Sequence, residues 1–186
     1  QNAKNFIFHK ELNGLFSLLV GNSPCFIMNS RFEDIIIESK GNSLFYIAAN
    51  NTNITGNTFS GINMYNQNAV FDITGLIISI WDNTFSEIRL AGVGVLILNP
   101  SSPNQGIEYD VSVSVQRNTF KTCKVFGRIG GDMGNILTMK DMHLVLIADH
   151  NTIIDSFDKN PAFYFSNTEC YSCGFSDNVF QITDES

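Results

Sequence analysis

Short apolar runs in this chain alternate with polar residues, and the whole pattern recurs. The stretch "GNTFSGI" at 56–62 returns as "DNTFSEI" at 82–88, "RNTFKTC" at 117–123, "HNTIIDS" at 150–156 and "DNVFQIT" at 177–183, with "NSRFEDI" at 29–35 a degenerate earlier copy. Aligned on one large apolar anchor each, Phe32, Phe59, Phe85, Phe120, Ile153 and Phe180, the copies follow at intervals of 27, 26, 35, 33 and 27 residues. Periods in this range belong to solenoids, propellers and other arrays. The two long intervals contain "LNPSSPNQGIEYD" at 98–110 and "GRIGGDMGN" at 127–135, which predicts lateral insertions near 98–110 and 127–135.

Within each repeat the apolar period is two. "LFYIAANNTNITGN" precedes Phe59 and "VFDITGLIISIWDN" precedes Phe85. Two short alternating runs rich in Ile, Val and Phe stand before the anchor, and a third follows it, which indicates strands. No stretch has convincing helical spacing. The nearest, "LTMKDMHLVLIA" at 137–148, is strand-like in its second half. Three short strands per repeat, with tight corners, predict one rung of a coil. A propeller blade needs about 40 residues and four strands.

The register gives each position a direction. Five before the anchor stand Ile27, Ile54, Ile80, Val115, Ala148 and Phe175, and seven before stand Cys25, Thr52, Ile78, Val113, Leu146 and Cys173. Even spacing on a strand puts both columns on one face, pointing inward. Two before the anchor stand Ser30, Asn57, Asn83, Asn118, Asn151 and Asn178. Stacked about 4.8 Å apart, such amides can bond one to the next as a ladder. Asn also tolerates the left-handed backbone of a sharp corner.

Anchors in "GNTF", "DNTF" and "RNTF" behind alternating Ile/Val strands resemble the right-handed parallel β-helix proteins of the pectate-lyase-like superfamily, over roughly residues 14–183. The resemblance is nearest to non-enzymatic surface and fibre members with "N-x-F" rungs. It implies an all-β, single-domain solenoid spanning 1–186, of about six rungs. It leaves function open, because fold does not dictate activity.

Composition narrows the partners. The chain has 186 residues, 22 Asn, 16 Phe and a net charge of −7. Its length supports one sizeable core, and the acidic balance disfavours nucleic acid. No run of 18 apolar residues exists, so no membrane span is expected. No cofactor or metal site is legible. Lyases of the resembled fold gather Asp residues and a basic residue on one outer face. Here Asp82 and Asp177, three before their anchors, are separated by Arg117 and His150, while Asp72 shares a column with Tyr46 and Tyr164, and Arg128 has no matching Asp pair. "CYSC" at 170–173 lacks both a second metal-ligand pair and a redox context. Two separate reduced thiols are favoured over a local disulfide there, since Cys173 belongs to the inward column. Cys123, three after its anchor like Ile35, Ile62 and Ile88, reads as a buried thiol in an aliphatic slot.

Three surface features remain. The two sequons stand at Asn50 ("NNT") and Asn53 ("NIT"). Asn53 precedes inward Ile54 and so points outward, which makes it the favoured glycosylation site. Trp81, four before its anchor and outward, suits stacking on a sugar ring or packing on a partner, or shields a loop. Both ends of the chain break off mid-pattern without an amphipathic cap. "KNFIFHKEL" at 4–12 alternates like a strand, and Phe6 lies 26 residues before Phe32, where a preceding anchor would fall. Uncapped strand edges invite pairing. The expectation is an extracellular, non-enzymatic structural protein stacking head-to-tail on itself through Phe6 and Phe8 at one end and Phe180 and Ile182 at the other. The alternative is a carbohydrate-binding or polysaccharide-cleaving coil with a site on an outer face.

Overall fold

The computed structural model describes residues 2–4, 7–8, 16–38, 43–65, 69–100, 111–126, 135–156 and 161–183. Most of the two expected insertions, at 101–110 and 127–134, lies outside these residues, as does Phe6. Among the described residues the protein is all-β, with no helix, and its strands pair in parallel in three sheets. One sheet stacks seven three-residue strands: Asn2–Lys4, Arg31–Glu33, Thr58–Ser60, Thr84–Ser86, Thr119–Lys121, Thr152–Ile154 and Val179–Gln181. A second has five two-residue strands, Ile7–Phe8, Ile36–Ile37, Asn63–Met64, Arg89–Leu90 and Lys124–Val125. The third has eight strands. Repeats 32 to 120 visit the three sheets in the same order, as in a β-solenoid.

The third sheet departs from the expected short strands. The two apolar runs before an anchor form one long element, as in Ser43–Thr55 and Asn135–Asp149, or two pieces, parted by a single residue in Ala69–Gly75 and Ile77–Trp81 and set further apart in Gly94–Pro100 and Ser112–Gln116. Gly75, the last residue before the single-residue break, lies close to the neighbouring repeat. A Cβ at this position would lie 2.1 Å from the carbonyl oxygen of Ala49, so only glycine lets the two backbones approach.

The repeat register is the one the anchors imply. Phe32, Phe59, Phe85, Phe120, Ile153 and Phe180 face one another in turn. The inward columns pair Ile27, Ile54, Ile80, Val115 and Ala148, and Cys25, Thr52, Ile78, Val113, Leu146 and Cys173. The first strand differs. Ala3, not Phe6, stands opposite Phe32, so this interval is 29 residues. Size alone misplaced the anchor, because the strand pairing, not the size of the residue, sets the register.

Aromatic geometry holds the core together. Phe32, Phe59, Phe85 and Phe120 stack with centroids 5.0, 4.9 and 4.9 Å apart. Phe16, Phe45 and Phe71 form a second stack at 4.7 and 4.6 Å. The two columns meet edge to face, at 5.1 Å for Phe32 and Phe45 and 5.2 Å for Phe59 and Phe71. Offset-stacked and edge-on pairs are both favourable for ring quadrupoles.

Two corners bound each three-residue strand from Arg31–Glu33 to Thr152–Ile154, and both turn on a left-handed residue; of Val179–Gln181 only the first corner does so among the described residues. Three before the anchor these are Asn29, Gly56, Asp82, Arg117, His150 and Asp177. Two after it they are Asp34, Gly61, Glu87, Thr122 and Asp155. The left-handed backbone expected of the ladder Asn thus belongs to the preceding residue. Thr122, at φ 55°, is the least suited to it, because a β-branched side chain crowds its own carbonyl there. Thr122→Gly should raise stability by about 0.5–1 kcal/mol, the strain relieved less the entropy glycine costs. A higher denaturation midpoint at unchanged slope is the expected observation.

Candidate functional site

The repeated Asn occupies a buried line beside the first corner. The Nδ2 groups of Asn57, Asn83, Asn118 and Asn151 donate to the Oδ1 atoms of Asn83, Asn118, Asn151 and Asn178 at 2.9, 3.0, 3.2 and 3.0 Å. The same oxygens accept the backbone N–H groups of the preceding Asn, each at 3.0 Å. The Nδ2 groups of Asn57, Asn83, Asn118, Asn151 and Asn178 also donate back, to the carbonyls of Ile27, Ile54, Ile80, Val115 and Ala148 in turn. Ser30 begins the line, its backbone N–H donating to Asn57 Oδ1 at 2.9 Å. An amide has both donor and acceptor, so one residue type satisfies this arrangement at every level. The ladder is structural and offers solvent no reactive group.

The corner outside it carries charge. Arg117 donates to both carboxylate oxygens of Asp82, at 2.7 and 2.9 Å, and its guanidinium lies 6.0 Å from the centre of the Trp81 ring. Hydrogen bonding from Arg117 holds the Asp82 carboxyl below the usual range. His150 lies 3.6 Å from both Asp149 and Asp177. Asp82 and Asp177 are therefore not brought together. Trp81 is half-buried on the outer face, in line with Met28, Thr55, Gln116 and Asp149. Its Nε1–H donates to Ser114 Oγ at 2.8 Å. Arg128 lies outside the described residues.

Asp72 is a partly buried carboxyl on the outer face. It pairs in register with Tyr46 and Ile97 and accepts a 2.9 Å bond from Asn99 Nδ2. Burial raises its pKa, against the lowering effect of that bond. The folded protein then holds this proton more tightly than the unfolded chain. Its contribution falls as pH rises above the ordinary carboxylate value through the raised one, and stays lowered at neutral pH. Asp72→Asn, which keeps an acceptor for Asn99, should flatten this part of the stability–pH curve and raise the neutral-pH melting temperature. Thermal melts of both proteins across acid and neutral pH provide the check. Among the described residues no group of three or more His, Cys, Asp or Glu is placed to hold a metal ion.

The cysteines divide into two kinds. Cys25 and Cys123 are free and buried. Burial pushes the Cys123 thiol up to about 12, against hydrogen bonds that include Ser156, so neither sequence slot reads as reactive. Cys173 is disulfide-bonded, which corrects the expectation of a reduced thiol there. Its inward column does not bury it, since Cys173 is exposed. The side chain of Cys170 lies outside the described residues.

The last described strand presents an apolar surface. Phe180 is 51% exposed and Ile182 66%, with Phe175 and Val179 about half exposed, whereas Phe59, Phe85 and Phe120 in the same stack are fully buried. Of the opposite end, Ile7–Phe8 pairs with Ile36–Ile37, while the side chain of Phe8 lies outside the described residues. Asn53 and Asn50 are both half-buried, with Thr55 Oγ1 donating to Asn53 Oδ1. Sequence reasoning missed Phe26, which is exposed on the outer face together with the outward Met28. Its outward parity beside Ile27 was the available signal. No helix among the described residues is long and apolar enough to cross a membrane. Comparison of the chain with protein-family models, curated proteins and solved structures finds no match in any of the three.

Proposed function

We propose that the chain is a right-handed parallel β-helix of about six rungs, related to the non-enzymatic surface and fibre members of the pectate-lyase-like superfamily. In this reading it is an extracellular structural protein stacking head-to-tail on copies of itself. The observation that carries the proposal is the apolar surface of Phe175, Val179, Phe180 and Ile182. At its centre Phe180 continues the column of Phe59, Phe85, Phe120 and Ile153, which is fully buried at these inner levels. A second copy fits it by continuity. The seven short strands run parallel from Asn2–Lys4 to Val179–Gln181, and each of these two has one paired neighbour among the described residues. Placing the first strand of one copy beside the last strand of another keeps the same direction and spacing. Such a contact joins different patches and grows without closing.

The disulfide at Cys173 supports the extracellular reading, because disulfides persist in oxidising compartments. The glycan-site alternative draws less support, since the Trp81 indole is already held by Ser114 and Arg117. Phe180→Asp puts a charge at the centre of the proposed contact while leaving the inner levels untouched. Sedimentation should show concentration-dependent, salt-insensitive assembly for the native protein and monomer for Phe180→Asp with an unchanged circular dichroism spectrum. Equal assembly of the two would remove the last strand from the interface.

A further inference from the structure

We infer that Asn53 is a site of N-linked glycosylation and that the first sugar of its glycan packs on the ring of Phe26. The inference rests on the extracellular reading. Asn53 and Thr55 lie on the outer face of the strand Ser43–Thr55, with Ile54 fully buried between them. Thr55 Oγ1 donates to Asn53 Oδ1. The hydroxyl of the sequon therefore already sits on the amide it must accompany. Asn53 Nδ2 has no hydrogen-bond partner among the described residues. The competing sequon differs. Thr52 is fully buried in the inward column between Cys25 and Ile78, and Asn50 has an interaction of its own.

The surroundings of Asn53 suit a sugar. Phe26 stands directly opposite Asn53 on the neighbouring strand and is 56% exposed. Parallel neighbours about 4.8 Å apart put this ring beside the amide. The C–H face of a pyranose packs on the electron-rich face of an aromatic ring. On the other side stand Ser79 and, two residues before it, Ile77, uncharged and the latter exposed. A glycan here would cover apolar surface that nothing else in the fold covers among the described residues. It would project sideways from the second repeat, leaving the last strand open.

The co-reactant is an oligosaccharide carried on a polyprenyl pyrophosphate, supplied with its transferase by the secretory pathway. Nδ2 attacks the anomeric carbon, forming the C–N bond. The C–O bond to pyrophosphate breaks and the lipid pyrophosphate leaves with the electron pair. One amide proton is lost to the transferase.

The full chain, secreted from a eukaryotic cell, provides the test. Peptide mapping by mass spectrometry should find glycan on Asn53 and none on Asn50. Asn53→Gln should remove the mass shift and lower the melting temperature by several degrees. In a Phe26→Ala background the same Asn53→Gln change should leave the melting temperature unmoved. Secreted protein with Asn53 bare, or with glycan on Asn50 instead, overturns the site. An equal melting shift in both backgrounds overturns the packing on Phe26. Failure of self-assembly with Asn53 occupied would defeat the stacking proposal and leave this one standing.

Discussion

Replacing Asn118 with alanine should destabilise the fold by about 3 kcal/mol, a large value for one polar side chain. Asn118 is fully buried. Its Nδ2 donates to the carbonyls of Ile80 and Gln116 at 2.7 and 3.0 Å and to Asn151 Oδ1 at 3.2 Å. Its Oδ1 accepts from the backbone and side-chain nitrogens of Asn83, both at 3.0 Å. Alanine takes these bonds from the Ile80 carbonyl and the Asn83 backbone N–H in a place water does not reach, and each unpaired group costs about 1–3 kcal/mol. Asn118→Asp should be worse. It keeps an acceptor for Asn83 but turns a second oxygen on three acceptors and buries an unpaired charge. Urea unfolding of the three proteins gives the ranking. A loss under 1 kcal/mol for alanine, or an aspartate variant as stable as the native chain, would contradict the ladder's place in the core.

Phe59→Ala should cost about 3–5 kcal/mol, the range for deleting a buried ring. The ring is fully buried between Phe32 and Phe85 in one stack and lies edge-on to Phe71 in the other. Close packing lets the neighbours fill little of the void. Phe180, the same position at the last strand, is half exposed, so Phe180→Ala should cost under about 1 kcal/mol under conditions that hold the protein monomeric. Equal losses at the two sites would mean that the rings do not form a continuous core.

Much of this was legible because the repeat sentence fixes parity. Once Phe59, Phe85 and Phe120 align, even spacing decides the direction of Ile54, Ile80 and Val115, and the asparagines fall into one line. The left-handed corners were not legible at their true position. Asn29, Gly56, Asp82, Arg117, His150 and Asp177 share a backbone angle and no side-chain chemistry, whereas the neighbouring Asn column is conspicuous by identity. The placing of Ala3 rather than Phe6 opposite Phe32 has a similar origin, since the strand pairing, not the size of the residue, sets the register. The need for glycine at Gly75 depends on a backbone approach to Ala49 that no local pattern reveals. At the candidate sites, Trp81 was read correctly as outward, but its bond to Ser114 crosses from one repeat to the next. Cys173 was assigned by column alone, and its column is exposed at that level.

Electron microscopy of the purified native protein at high concentration shows whether copies stack end to end. About six rungs at roughly 4.8 Å give a copy about 29 Å long. Head-to-tail stacking predicts filaments with a subunit repeat near that length and a small twist from copy to copy. A field of single, monodisperse particles at the same concentration would contradict it.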